Sequence, residues 1–245
     1  MANLIVDEGN TLCKIAVLDK NEVLCERSVR DFDMAEIVSL MSQFTIEKAV
    51  VASTRGGAAK ICEQLRTKID KVLHFTSQTE VPIGVDYSSR QTLGADRLAV
   101  AVGVVCGMGI EDALVVDMGS AITFDIIENG TFRGGNISLG VAMRFKALHD
   151  YTAALPLCSA TEPTEEFGKS TVEAIEQGVM QGILYEIEGY AARILAGKAK
   201  KNIIFCGGDA ESFVNRIKNA IFAPRKLMFT GLNKILEYNV SKNNI

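Results

Sequence analysis

Two short segments of the sequence combine an acidic residue, a glycine and a hydroxyl-bearing side chain directly after a short apolar run. Asp7–Thr11 (DEGNT) follows the run 4–6, and Asp117–Ala121 (DMGSA) follows the run 113–116. A tight glycine turn presents backbone N–H groups to a phosphate, and the hydroxyl groups add donors. The aspartate at each strand end can hold a cation or its waters, and Lys14 can reach a phosphate as a point charge. The segments therefore predict phosphate binding with a cation nearby.

The second segment repeats the first at a distance of 110 residues, and each stands between two predicted strands. One such turn alone favours an ordinary hairpin, whereas two copies at equivalent places favour a shared function. We therefore expect two similar halves of α/β structure. Predicted strands cover 4–6, 13–18, 22–29, 48–53, 71–76, 113–116, 122–127, 131–137 and 202–205, and predicted helices cover 34–43, 57–69, 93–106, 141–150, 172–195 and a stretch beginning near 209. The implied domain bounds are 1–92 for the N-terminal lobe, 93–112 for a connecting helix and 113–245 for the C-terminal lobe.

Composition and charge disfavour several classes of protein. The chain has 245 residues and a net charge of −4, so it lacks the basic excess that holds nucleic acid. The longest nearly apolar run, 98–110, is shorter than the roughly 20 residues of a membrane span, and the first residues do not resemble a secretory leader. The six cysteines are scattered without metal-binding or disulfide spacing. We expect a cytoplasmic protein with reduced cysteines and without nucleic-acid or membrane partners.

Competing catalytic motifs are not found in the sequence. Gly168–Ser170 resembles the end of a P-loop, but the position of the first glycine holds Pro163. His74 and His149 are isolated, which disfavours histidine metal sites and Ser-His-Asp triads. A catalytic base is therefore expected to be Asp or Glu. Gly207-Gly208, between a predicted strand and a predicted helix, suits a contact with adenosine.

Five motifs together resemble the type III pantothenate kinases, a family of the sugar kinase and actin superfamily. They are Asp7–Lys14 (DEGNTLCK), Gly94–Arg97 (GADR), Asp117–Ala121 (DMGSA), Gly134–Ile137 (GGNI) and Gly207–Asp209 (GGD). The resemblance implies two duplicated actin-like (ribonuclease H-like) lobes, each a mixed sheet with helices. It also implies transfer of the ATP γ-phosphate to pantothenate, giving 4'-phosphopantothenate in the first step of coenzyme A biosynthesis.

The same resemblance implies a role for each matched residue. The nucleotide would contact Asp7, Glu8, Gly9, Asn10, Thr11, Leu12, Cys13, Lys14 and Ser120. Pantothenate would contact Tyr87, Gly94, Ala95, Asp96 and Arg97, with Asp96 as the proton acceptor, and would also contact Thr171 of the partner subunit in a homodimer. Asp117 would bind a monovalent cation, K⁺ or NH₄⁺, and Mg²⁺ would accompany ATP on the two repeated turns.

Three positions depart from the family pattern. Ser120 stands where threonine is usual, and its side chain keeps the hydroxyl group. Arg90 and Leu139 stand where proline is usual. These two substitutions change the stiffness of loops on the substrate side, because proline restricts the backbone and arginine and leucine do not.

The site residues also have structural interpretations. Tyr87 could be a half-buried loop aromatic, Arg97 could pair with a surface carboxylate, and Asp125 could support the cation site or face solvent. Asp96 and Thr171 could simply cap helices, since both lie at predicted helix starts.

The predicted helix 172–195 carries an apolar stripe at intervals of three and four residues. Its members are Val172, Ile175, Val179, Ile183 and Ile187. Such a stripe suits either a subunit interface or the core. Two rival functions also stay open: a kinase of the same superfamily acting on a sugar, and a non-catalytic nucleotide-binding regulator, because fold does not fix function.

Overall fold

The computed structural model describes residues 2–20, 22–161, 166–197, 202–223 and 226–245. The strands are β1 Ala2–Glu8, β2 Cys13–Asp19, β3 Glu22–Val29, β4 Ile46–Ser53, β5 Lys71–His74, β6 Gly84–Val85, β7 Ala113–Met118, β8 Ala121–Glu128, β9 Thr131–Leu139, β10 Asn202–Cys206 and β11 Ala220–Phe222. The α-helices are α1 Met34–Met41, α2 Ala58–Arg66, α3 Ala95–Val102, α4 Val141–Asp150, α5 Thr171–Ile194, α6 Glu211–Val214 and α7 Lys226–Ser241. A 3₁₀ turn, Arg90–Thr92, precedes α3, and a π-helical turn, Gly103–Gly107, follows it.

Most of these elements agree with the sequence-based predictions. The bounds of β3 and α4 coincide with them, and the ends of most others differ by one to three residues. The helix expected from near 209 is the short α6, while β6, β11 and α7 have no predicted counterpart. Among the described helices, none combines the length and apolarity that crossing a membrane requires.

The chain folds into two compact units. The first comprises the described residues of Met1–Ile110, Gly130–Phe132 and Arg225–Ile245, and the second comprises those of Glu111–Asn129 and Arg133–Pro224. The predicted bounds put the last residues of the chain in the C-terminal lobe. In the structure, α7 packs on α3, β1 and β4 of the first unit instead.

The first unit is built on a sheet with the strand order β3-β2-β1-β4-β5. β1 runs antiparallel to β2 and parallel to β4. Side chains alternate along a strand, so β1 presents two faces. Leu4 packs with residues of α1 and α2 on one face, and Asn3 donates a 2.7 Å hydrogen bond to Asn233 of α7 on the other. The same alternation puts Asp7 on the face of α7 and Glu8 on the face of α2.

Helices α3 and α7 cross at very short range in the first unit. A Cβ atom on Gly231 would lie 1.8 Å from the carbonyl oxygen of Ala99, and one on Gly103 would lie 2.5 Å from that of Leu227. Any side chain at either glycine would push the two helices apart. The helix predicted over 93–106 is present from Ala95 to Gly107, but its second half is π-helical rather than α-helical where the α7 backbone approaches.

The second unit repeats the strand order of the first as β9-β8-β7-β10-β11. β7 is antiparallel to β8, and β10 is parallel to both β7 and β11. The core of this unit gathers side chains from the sheet, α4 and α5, among them Phe124, Phe145 and Ile183. Thr131 and Phe132, which begin β9, pair with β6 and belong to the first unit. The matching strand orders confirm the predicted duplication of a mixed sheet.

Candidate active site

The first glycine turn joins β1 to β2. The N–H of Gly9 donates to the carbonyl oxygen of Leu12 at 3.0 Å and closes the turn. Asn10, Thr11 and Leu12 are exposed, whereas Cys13, which begins β2, is fully buried. The turn therefore leaves backbone groups and the Thr11 hydroxyl exposed, and its role in phosphate binding stays a prediction.

Asp7, Lys14 and Asp96 gather on the same side of the first unit. Lys14 lies directly opposite Asp7 in the antiparallel register of β1 and β2. Asp7 is only 8% exposed, and burial raises the pKa of its carboxyl group above the ordinary value. Lys14 lowers that pKa and the carboxylate of Asp96 raises it, so both charges lie within electrostatic reach. Three of the predicted site residues, on β1, β2 and α3, are thus brought together.

The Glu8 side chain points away from this group, on the face of β1 that carries α2. Its Oε2 accepts hydrogen bonds from Ser53 Oγ at 2.5 Å and from the N–H of Gly57 at 3.1 Å. A Cβ atom on Gly57 would lie 2.4 Å from the same oxygen. The carboxylate therefore ties the end of β1 to the loop that enters α2, whereas the resemblance stated above implies that Glu8 contacts the nucleotide.

The segment before and within α3 positions the carboxylate of Asp96. Gly94 is the N-cap of α3, and Asp96 Oδ1 accepts a 2.9 Å hydrogen bond from the N–H of Arg97 in the first turn. A Cβ atom on Gly94 would lie 2.4 Å from Asp96 Oδ1, so any other residue there would displace the carboxylate. Ala95 begins the helix. The helix start thus holds Asp96 by a local bond and leaves space for its carboxylate over Gly94, and because Gly94 is the N-cap, Asp96 is not the cap.

Phe132 organises two further predicted site residues in the first unit. The guanidinium of Arg97 lies over its ring at 5.8 Å, and the Tyr87 ring lies 6.1 Å from it. The Phe132 carbonyl oxygen accepts a 2.8 Å hydrogen bond from the N–H of Asp86. Arg97 is only 8% exposed, so its side chain is buried rather than on the surface. The sequence offers no local signal for this role of Phe132. Phe132 is brought close to Tyr87 and Arg97 by the pairing of β6 with β9, which are distant in the sequence.

The second glycine turn joins β7 to β8 in the second unit. The N–H of Gly119 donates to the carbonyl oxygen of Ala121 at 3.0 Å. Asp117 is half-buried opposite Thr123, and Ser120 is exposed on the turn. The structure therefore presents the predicted cation ligand and the predicted nucleotide hydroxyl on one hairpin.

Two other glycines line this second turn. A Cβ atom on Gly140 would lie 2.3 Å from the carbonyl oxygen of Ser120. Gly207 has a φ of 93°, and a Cβ atom there would lie 2.4 Å from the carbonyl oxygen of Met118 and 2.5 Å from Asp117 Oδ1. The Gly207-Gly208 turn thus packs directly on the predicted cation ligand, whereas Gly140 is a contact that sequence reasoning missed.

The thiol of Cys206 and the carboxylate of Asp125 are buried near Asp117. Cys206 pairs with Asp117 in the parallel register of β10 and β7. The pKa of the Cys206 thiol is raised well above its ordinary value, first by burial and then by Asp117 and Asp125. Asp125 is 2% exposed and accepts a 3.1 Å hydrogen bond from Thr123 Oγ1. Asp125 therefore does not face solvent, which removes one of its two interpretations.

Thr171 begins α5 in the second unit and is exposed. The helix is capped by Ser170, whose Oγ accepts from the N–H of Glu173 at 3.3 Å, so Thr171 is not the cap. Four members of the predicted apolar stripe are buried in the core of this unit: Ile175, Val179, Ile183 and Ile187. The fifth, Val172, is exposed. The stripe is therefore mainly core packing.

Comparison with known proteins identifies the family to which this sequence is similar. A family model described as type III pantothenate kinase matches residues 3–193. A type III pantothenate kinase of Phocaeicola vulgatus is 36% identical over 238 residues, which cover 97% of this chain and 98% of the relative. One from Porphyromonas gingivalis is 37% identical over 242 residues, with 97% and 99% covered.

Solved structures share the architecture. A Campylobacter jejuni protein assigned to the Baf family of transcriptional activators superposes with a TM-score of 0.63 and 26% identity, covering 97% of this chain and 99% of that one. The ROK hexokinase of Thermus thermophilus superposes with a TM-score of 0.56 and 15% identity, covering 98% and 100%. At that identity the likeness shows the fold alone, which is that of the actin-like sugar kinases. Because the family model and the full-length relatives agree, the chain belongs to the type III pantothenate kinases.

Proposed function

We propose that the chain transfers the γ-phosphate of ATP to pantothenate, giving 4'-phosphopantothenate, with Asp96 as the general base. Family membership over nearly the whole chain supports the reaction: the protein is an ATP-dependent phosphotransferase with an alcohol acceptor. The observation that carries the residue assignment is the gathering of Asp7, Lys14 and Asp96 beside the exposed Gly9 turn.

Asp96 is suited to take the proton of the acceptor hydroxyl. In a loose phosphoryl-transfer transition state the proton leaves late, so an ionised carboxylate that orients the hydroxyl is sufficient. Asp96 lies in the first turn of α3, and Gly94 leaves space for its carboxylate. Arg97 and Tyr87, held on Phe132, would bind the remainder of the acceptor, including its carboxylate.

The phosphates would be held by the first turn and by Lys14. Backbone N–H groups of the turn and the ammonium of Lys14 complement phosphate charge. Asp117 and Ser120 would contribute from the second turn, Asp117 toward a K⁺ or NH₄⁺ ion. Oxygen donors of this kind suit such ions and Mg²⁺, which supply positive charge to the phosphates when bound.

A homodimer is proposed with α5 at the interface, on the side opposite its core stripe. Thr171, Ala174, Gly178 and Tyr185 recur at helical spacing and are exposed. Nearby, Arg144 of α4 pairs with Glu186 of α5 and donates to the carbonyl oxygen of Leu139 at 2.9 Å. Leu139, Met143 and Tyr185, which adjoin these contacts, are each more than 40% exposed. Exposed apolar groups with small residues between them suit a helical subunit interface. An active monomer in a solution mass measurement would contradict this proposal.

A phosphorylation assay tests the function directly. Radiolabelled ATP is offered with pantothenate and, separately, with a panel of sugars. We expect labelled product with pantothenate alone. Labelling of a sugar instead would favour the sugar-kinase alternative, and nucleotide binding without labelling of any acceptor would favour a regulator.

The cytoplasm is the proposed location. The six cysteines are free thiols, and none is held in a disulfide. Reduced cysteines are usual in the cytoplasm and unusual in secreted proteins. Fractionation of cells followed by immunodetection would check this location.

A further inference from the structure

Arg90 connects residues 87–97, the proposed acceptor segment, to a separate loop of the first unit. It begins the 3₁₀ turn Arg90–Thr92, between Tyr87 and the start of α3. Its Nε donates to the carbonyl oxygen of Ser77 at 3.0 Å, and its Nη2 donates to that of Thr79 at 3.2 Å. A single side chain thus bridges two loops by two hydrogen bonds from a planar, permanently charged group.

The loop that receives these bonds is itself well fixed. The N–H of Thr76 donates to Thr79 Oγ1 at 3.0 Å, and the N–H of Thr79 donates back to the carbonyl oxygen of Thr76 at 3.1 Å. Ser77 is only 7% exposed. The buried Asn239 of α7 donates to the carbonyl oxygen of Glu80 at 2.9 Å. Arg90 therefore fastens the acceptor segment to an anchored point.

The acceptor segment has short-range bonds of its own. Ser89 Oγ and Thr92 Oγ1 are 2.7 Å apart, and the N–H of Leu93 donates to the carbonyl oxygen of Arg90 at 3.2 Å. These bonds shape the 3₁₀ turn, but they do not fix where the turn lies. A turn that is free to move must be ordered when a ligand binds, and that ordering reduces affinity.

We propose that Arg90 is a positioning residue for the acceptor site: its two bonds to the 76–80 loop hold Tyr87 and Asp96 ready for the acceptor. The inference rests on the proposed acceptor segment. It assigns Arg90 no contact with substrate. The expected consequence is selective, because the nucleotide turn at Gly9 lies on other elements.

The test compares the kinetics of Arg90→Ala, Arg90→Lys and a matched control. Arg90→Ala removes both bonds, and we expect KM for pantothenate to rise about 10-fold while KM for ATP stays within about 2-fold of wild type. Arg90→Lys keeps the charge but loses the two-point geometry, so an intermediate rise is expected. Arg66→Ala is the control: Arg66 Nη2 donates to the carbonyl oxygen of Val72 at 3.2 Å, in the same unit but away from the acceptor segment.

Hydrogen exchange supplies a second readout that does not depend on catalysis. In Arg90→Ala the amides of Thr92 and Leu93 should exchange faster, while those of α2 keep their wild-type protection. Wild-type enzyme that phosphorylates pantothenate, together with an unchanged KM for pantothenate in Arg90→Ala, would overturn the inference alone. Wild-type enzyme that does not phosphorylate pantothenate would overturn the proposed function, and this inference with it.

Discussion

The two glycine turns occupy equivalent places in the two units but differ by one residue. The first closes from Gly9 to Leu12 and the second from Gly119 to Ala121. Consequently Asp7 lies opposite Lys14, whereas Asp117 lies opposite Thr123. A fixed offset of 110 residues would instead match Lys14 to Phe124. The strand register thus places a positively charged side chain, Lys14, opposite the aspartate of the first hairpin and a neutral hydroxyl, Thr123, opposite the aspartate of the second.

The groups that surround Asp7 and Asp117 also differ between the two units. Asp7 is buried near Lys14 and Asp96, so charged groups surround it. Asp117 is half-buried, and Gly207 and the Cys206 thiol lie against it. The strand order is thus the same in the two units, while the groups around the equivalent aspartates differ.

The largest expected effect comes from removing the base in the first unit. Asp96→Asn keeps the size of the side chain and an oxygen for the N–H of Arg97, and we expect kcat to fall by about 10²–10⁴. Loss of a capping contact alone would cost about 1 kcal/mol of stability and leave turnover nearly intact. The measurement is kcat beside the melting temperature.

A matched control exists on another helix of the same unit. Asp33 caps α1, accepting a hydrogen bond from the N–H of Ala35 at 2.9 Å. Asp33→Asn should leave kcat within a few-fold of wild type. A folded Asp96→Asn protein that behaves like Asp33→Asn would remove Asp96 from the mechanism.

Filling the turns should come next, and the first turn should be the more sensitive. A Cβ atom on Gly9 would lie 3.3 Å from the carbonyl oxygen of Leu12, whereas one on Gly119 would lie 3.8 Å from that of Ala121. We expect Gly9→Val and Gly119→Val each to weaken ATP binding by about 100-fold or more, because the side chain occupies the space of a phosphate. Isothermal titration with ATP checks this. Normal binding by both folded variants would show that the nucleotide lies elsewhere.

Lys14→Thr removes the charge difference between the two hairpins, because it places threonine opposite Asp7, as Thr123 lies opposite Asp117. We expect kcat/KM for ATP to fall about 10- to 100-fold, because a phosphate contact is lost. The substitution also removes the charge that lowers the pKa of Asp7, so that pKa rises further. If ionised Asp7 is required, the acid limb of the pH–rate profile moves to higher pH.

A lysine elsewhere on the sheet provides the comparison for this change. Lys48 is a half-buried residue of β4, paired with Asn3 at the far end of β1 from the turn. Lys48→Thr should leave kcat/KM for ATP within about 2-fold of the wild-type value. It changes the charge and the β-propensity in the same way as Lys14→Thr, but at a position away from the turn. Equal losses in both variants would mean that the Lys14 effect is structural.

The smallest expected effect concerns Glu8, for which the sequence resemblance implies a nucleotide contact, whereas the structure shows bonds to Ser53 and Gly57. Glu8→Ala removes the acceptor for Ser53 and for the N–H of Gly57, and we expect it to lower the free energy of unfolding by about 1–3 kcal/mol. Glu8→Gln keeps an acceptor oxygen and should lose less stability. Chemical denaturation measures both. A large rise of KM for ATP in a stable Glu8→Gln protein would restore Glu8 as a nucleotide contact.

Much of the scaffold and part of the site follow from local sequence signals. Alternating apolar residues and Asn129-Gly130 were enough to predict β8 and β9 nearly to their bounds, because hairpin geometry is local. Strand alternation also separates Glu8 from Asp7, since neighbouring side chains point to opposite faces. The positions of Phe132 and Gly140 depend on pairing between distant segments. Motif reading cannot supply these contacts.

The close crossing of α3 and α7 has a consequence for the order in which the protein folds during translation. The helix that presents Asp96 docks its glycine-containing end against residues near 231, which leave the ribosome long after α3 has emerged. The whole second unit is synthesised in between. Contacts between distant parts of a chain form slowly. Until α7 is synthesised, the face of α3 that α7 covers stays exposed in the nascent first unit. Assembly of the segment around Asp96 is thereby coupled to synthesis of α7, so a product truncated before α7 would lack the packing of α7 on α3.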